Sequence, residues 1–116
     1  MALLDDLRTA RQTINGAASW CKGFFARNAE GGACFENNAD AVQWAADGAL
    51  NLATHVEGEP PGLPTARRRL AFQAVWETCE ELYPMEDISL ARVNDLYGHA
   101  AVLNVFDKTI ERLVRR

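Results

Sequence analysis

No apolar run in this chain approaches the roughly 20 residues that a membrane-spanning helix needs, so the sequence predicts no membrane partner. Cysteine is scarce. Cys21, Cys34 and Cys79 are odd in number and match no metal-ligand spacing, and the N-terminus has no leader pattern. They read as reduced thiols of a cytoplasmic protein, with no metal and no cofactor expected. Basic residues are not in excess: 12 Lys and Arg stand against 16 Asp and Glu, for a net charge of −4. That balance argues against a general nucleic-acid or membrane-surface role and leaves room only for a local basic patch. There is no internal repeat, no low-complexity stretch and no Gly-x-Ser-x-Gly nucleophile motif. What remains is 116 residues, 48% hydrophobic with three Trp, enough for a single domain (1–116) with one core and no staples.

The pattern predicts an α+β domain, mostly α, with about four helices around a central one and a small β-hairpin. The first helix spans Ala2–Asn15, with Leu3, Leu4, Leu7, Ala10 and Ile14 on one face and Gly16 placed for a left-handed stop. Trp20–Arg27 and Ala33–Glu36 are rich in β-favouring residues and flank Asn28–Gly32, which reads as a hairpin. A turn centred on Glu30-Gly31 would put Arg27 opposite Cys34 and leave Cys21 and Cys34 unsuited to a disulfide. The central helix is read over Asp40–His55, capped by Asn37 or Asn38. Val42, Ala45, Ala49, Leu52 and Val56 form one stripe, and Trp44, Gly48 and Leu52 a second. Two apolar stripes demand cover on two sides, expected from the hairpin and the last two helices. Gly48 costs about 1 kcal/mol against Ala inside a helix, so it marks a close approach of another backbone or ring.

Glu57–Pro64 is a loop of three Pro and two Gly. Thr65 caps a helix over Ala66–Leu82, stopped by Pro84, whose main stripe is Leu70, Ala74, Cys79 and Leu82. Met85–Tyr97 is a connector that reads either as a helical turn from Ser89 or as an extended piece. Asn94-Asp95 precedes the last helix, about Gly98–Arg115, with Val102, Val105, Phe106, Ile110 and Leu113 inward.

Trp20-Cys-Lys-Gly23-Phe-Phe-Ala26-Arg27, Ala41-Val42-Gln-Trp44 with Gly48-Ala49-Leu50, and Asn94-Asp95 with Gly98-His99 form a series. It resembles an uncharacterised family of small bacterial and phage domains of unknown function. Many members have Cys after the second Trp, where this chain has Ala45, and an aromatic before Asn-Asp, where it has Val93. The resemblance implies a fold but no activity.

Asn94, Asp95 and His99 make the best polar cluster. An Asp four residues before a His can orient the imidazole for acid–base work, and the same residues read equally as a helix cap and a first-turn surface His. Trp20, Phe24 and Trp44 are the aromatic candidates for a binding wall. Arg67, Arg68 and Arg69 sit in a helix first turn against its dipole, where stability does not ask for them. If the last two helices pack antiparallel, these arginines join Arg112, Arg115 and Arg116 at one pole, while Glu77, Glu80 and Glu81 collect at the other. His55 and His99 lie on different elements and are no metal signature. The expectation is a binding or interaction module with a protein partner or a second copy of itself, and nucleic acid only at the arginine pole. The alternatives are a small enzyme or ligand-binding domain at Asn94, Asp95 and His99, and an oligomeric accessory of a phage or mobile element.

Overall fold

The computed structural model describes residues 2–56 and 65–115. Its helices are α1 (Ala2–Thr13), α2 (Ala46–Ala53), α3 (Ala66–Leu82), α4 (Leu90–Tyr97) and α5 (His99–Val114). A three-stranded antiparallel sheet of order β2-β1-β3 is built from β1 (Ala26–Asn28), β2 (Ala33–Cys34) and β3 (Ala41–Trp44). The fold is α+β and mostly helical. The EGEPPGLP loop lies outside the described residues.

The core is where the apolar stripes meet. Leu7 and Ala10 of α1 and Ile14 just after it, Ala49 and Leu50 of α2, Val75 and Cys79 of α3, Val93 of α4, and Val102, Val105 and Phe106 of α5 are fully buried. Full burial stabilises each large aliphatic or aromatic side chain among them by about 1.5–3 kcal/mol. Between α3 and α5, Thr109 Oγ1 donates to Thr78 Oγ1 at 2.8 Å, so this polar pair is satisfied within the core. The buried face of α3 is Ala71, Val75, Thr78 and Cys79, and Leu70, placed inward by the sequence reading, is 60% exposed. The hydroxyl pair holds Thr78 inward and turns the helix away from the purely apolar stripe.

The expected helix over Asp40–His55 is corrected. Ala41–Trp44, near its start, is strand β3, and only Ala46–Ala53 is helical. Neither Asn37 nor Asn38 caps it. Asn38 accepts from Asp40 N at 2.8 Å through its side chain and from Ala41 N at 3.1 Å through its carbonyl, which turns the chain into β3. β3 then pairs with β1, so tertiary pairing of a β-favouring Val42–Trp44 overrides a helical period that Ala-rich sequence satisfies too easily. α2 is still central, lying against α1, α3, α4 and β3, but α5 packs on α1, α3 and α4 instead.

The expected close approach at Gly48 is present. A Cβ there would lie 2.0 Å from the Phe25 carbonyl oxygen, which itself accepts from Ala45 N. The hairpin exists but is shorter than expected, and its register is Ala26 opposite Cys34 and Arg27 opposite Ala33, one residue from the expected one. All three cysteines are free thiols. Gly16 is extended (φ −87°, ψ 143°) rather than left-handed, because the chain enters a 3-10 turn at Ala17–Ser19 that its own carbonyl anchors. Thr65 and Ser89 cap α3 and α4 by accepting from Arg68 N and Arg92 N. The undecided connector therefore contains a helix. Asn94 and Asp95 lie inside α4, not at the start of α5, and Gly98 (φ +92°) breaks the chain between the two helices.

Candidate functional site

Asn94 is the joint from which the site is built. It is fully buried, and its amide uses four hydrogen bonds. Oδ1 accepts from Trp20 Nε1 (2.7 Å) and from Ala46 N (2.9 Å), the first amide of α2. Nδ2 donates to the Cys21 carbonyl and to Asp95 Oδ1, each at 3.1 Å. A helix N-terminus leaves such amides without partners, and here a side chain from another helix supplies one. The network locks the Trp20–Phe25 segment, the start of α2 and the middle of α4 together. Each bond contributes about 1 kcal/mol net.

Asp95, the next residue, is exposed. Its Oδ1 also accepts from Gly23 N at 3.1 Å, which holds the Gly23–Phe25 loop over α4. The result is a groove of about 300 Å³ lined by Gly23, Phe24, Phe25, Ala45, Asp47, Ala91 and Asp95. A second hollow of about 260 Å³, lined by Ala91, Arg92, Asp95 and Leu96, shares two of these residues and continues it. Phe24 is 39% exposed, with ring centroids 5.5 Å from Phe25 and 6.1 Å from the exposed Phe35. Two carboxylates from different helices thus face one partly apolar groove. Burial pushes the Asp47 carboxyl above its ordinary range, and the charges of Asp95 and Glu36 add to the effect, against hydrogen bonds from the Gly48 and Asp47 amides. Glu36 Oε2 is buried without a hydrogen-bond partner among the described residues. None of these three carboxylates forms an ion pair among the described residues. The nearby Arg27 guanidinium is committed to the carbonyls of Gly31 and Lys22.

The sequence candidates are distributed differently from expectation. Trp20 belongs to the buried network, and its ring stacks obliquely on His99 at 5.4 Å. Trp44 donates Nε1 to the Glu36 carbonyl at 3.0 Å and pairs through its backbone with Trp20 and Cys21. Phe24 alone of the three aromatics lines the groove. His99 Nε2 lies 2.5 Å from the Ile14 carbonyl oxygen. A carbonyl only accepts, so that nitrogen carries the proton. Asp95 and His99 share no hydrogen bond; Asn94 bonds Asp95 directly, and its link to His99 runs through the Trp20 ring.

The two-pole arrangement of arginines is also corrected. Arg112 lies against Glu77 and Glu81 and donates to Thr78 Oγ1, in the region assigned to the acidic pole. Arg67 and Arg68 are roughly 15 Å away along α3, by its rise per residue. Arg67 makes a bidentate pair with the buried Asp6, and Arg68 reaches Thr54 Oγ1 at 3.4 Å. The first-turn arginines that run against the helix dipole are thus placed for α1 and α2, and only Arg69 has neither kind of contact among the described residues. Among those residues no group of three His, Cys, Asp or Glu is placed to hold a metal ion.

Sequence reasoning missed Asp47, Phe25 and Ala91 as groove residues. Asp47 reads as an ordinary first-turn acid, and nothing local reveals that α4 brings Asp95 to it.

The fold and groove define a small, mostly helical α+β domain organised by a buried asparagine. The chain belongs to a family of unknown function (DUF6197), whose model matches residues 1–112. No curated protein and no solved structure matches it.

Proposed function

We propose that the protein is a small binding module that recognises a protein partner through the groove of Phe24, Phe25, Asp47 and Asp95. One observation carries this reading: two carboxylates that form no ion pair among the described residues face a groove whose loop and floor are held by the Asn94 network. A surface built this way is preorganised, and binding to it loses little side-chain freedom. Burial of the Asp47 carboxylate outweighs its amide hydrogen bonds and works against folding, so its presence fits a role other than stability. The three free thiols suit a cytoplasmic setting. The motif resemblance supports a bacterial or phage origin. No helix among the described residues is long and apolar enough to cross a membrane. The enzyme reading has less support, because Asp95 and His99 are not hydrogen-bonded and His99 is engaged by Ile14.

The test is site-specific crosslinking. A photoreactive amino acid at position 24 should trap a partner from an extract of the source cell, and one at position 69 should not. Trapping at 69 alone would move the recognition surface to the arginine face of α3.

A further inference from the structure

We propose that the groove receives a basic side chain, lysine or arginine, from an extended segment of the partner, with an apolar side chain of the same segment in the adjoining hollow. This inference rests on the binding reading above and adds the chemistry of the occupant.

Size comes first. At about 300 Å³ the groove is at the lower limit of pockets that hold a drug-sized ligand. It suits one long side chain better than a nucleotide or a large cofactor. Its wall chemistry then selects the kind of side chain. Ala45, Ala91, Phe24 and Phe25 offer apolar surface to a methylene stem, as long cationic side chains require. Aromatic rings also attract a cation placed against their faces. Asp47 and Asp95 supply acceptors. Asp47 Oδ1 takes the Gly48 amide, and Asp95 Oδ1 takes Gly23 N and Asn94 Nδ2. Both are carboxylates from different helices, and among the described residues no side chain donates to the Oδ2 atom of either, so acceptor capacity remains for an incoming donor. An anionic side chain would meet the repulsion of Asp47, Asp95 and Glu36 together, and a neutral one would leave those charges uncompensated.

The case for an extended segment is the second hollow. It shares Ala91 and Asp95 with the first and ends on Leu96, which is 58% exposed. Two small sites in succession, one acidic and one where Ala91 and Leu96 add apolar surface beside Arg92 and Asp95, match neighbouring side chains of a peptide better than a free amine.

The experiment is a ¹⁵N–¹H NMR titration of the full chain with the acetylated, amidated peptide Gly-Arg-Ala-Leu-Gly. The same peptide with citrulline, and with glutamate, in place of arginine serves as control. The arginine peptide should shift the amides of Gly23, Asp47, Gly48 and Asp95. Its affinity should fall about fivefold or more with citrulline, and by a similar factor in Asp47→Asn and in Asp95→Asn. Both variants keep an oxygen for the backbone donors, and their spectra report that they are folded. Equal binding of the citrulline peptide would overturn the cation while leaving the groove as a binding site. If no peptide shifts groove amides, the binding reading falls with it. Concentration-dependent shifts of the same amides without peptide would assign the groove to a second copy of the chain and overturn the proposal.

Discussion

Replacing Asn94 tests the description of the site from its foundation. Asn94→Ala removes four hydrogen bonds and leaves Ala46 N and the Cys21 carbonyl in buried surroundings without that partner. Each orphaned buried group costs about 1–3 kcal/mol. The half-buried Trp20 Nε1 can turn to water and adds less. A small cavity contributes about another 1 kcal/mol. The total is about 3–7 kcal/mol, against the roughly 5–15 kcal/mol that stabilises most domains. Asn94→Asp separates packing from donors. It keeps an oxygen for Trp20 and Ala46 but puts a second oxygen against the Cys21 carbonyl and Asp95. Burial and Asp95 raise the folded-state pKa of the new carboxyl above its unfolded value. The folded state then binds more protons between the two values, so stability rises as pH falls through the folded pKa. Urea unfolding followed by tryptophan fluorescence at neutral pH and near pH 5 measures both effects. A loss below about 1 kcal/mol for Asn94→Ala, with an unchanged denaturant slope, would refute the claim that this residue organises the site.

Four further outcomes follow from the geometry. Gly48→Ala, which in an open helix would stabilise by about 1 kcal/mol, should instead destabilise by about 3 kcal/mol or more because its Cβ would strike the Phe25 carbonyl; thermal unfolding gives the sign. Arg67→Ala should cost about 2 kcal/mol or more by stranding the buried Asp6 carboxylate, with Arg69→Ala near zero, in paired chemical denaturation. Asp47→Asn should stabilise the free protein at neutral pH. Its folded carboxyl pKa is raised by burial, with the charges of Asp95 and Glu36 adding to it, so ionised Asp47 weakens the fold above that pKa, and the gain should vanish as pH falls below the unfolded value, as seen in a series of melting curves. The Cys79 thiol, pushed up to about 11 by burial, should resist alkylation at mildly alkaline pH while the partly exposed Cys34 reacts, a difference that peptide mass mapping reads directly.

Local chemistry was the legible part of the fold. Thr65 and Ser89 cap their helices by the side-chain rule that their position suggests, and Gly48 marks a close approach because a helix has no other use for it. The α5 stripe reads nearly as it packs, with Thr109 buried and Ile110 only partly so. Residues 41–44 did not read correctly, since the alanines in and around them (Ala39, Ala41, Ala45 and Ala46) fit a helical period whatever the structure. Their strand state depends on Asn38 and on β1. For the site, the Asn94-Asp95 pair was visible as a motif, but its meaning was not. Asn94 acts on groups 48 to 74 residues away, and Asp95 makes a groove only because α2 brings Asp47 to it. No spacing rule reaches that far.

The Asn94 network also sets an order of events. Its partners at positions 20, 21 and 46 are synthesised long before residue 94. During translation, at about 5–20 residues per second, those backbone and indole groups stay hydrated for several seconds after they emerge. The groove therefore has to mature after α4 is complete, however early the hairpin and sheet form. Closing such long loops costs stability only logarithmically with length, but contacts of large sequence separation slow folding. The recognition surface is accordingly among the last parts of the molecule to become competent, and a chain cut short before α4 would lack the groove altogether.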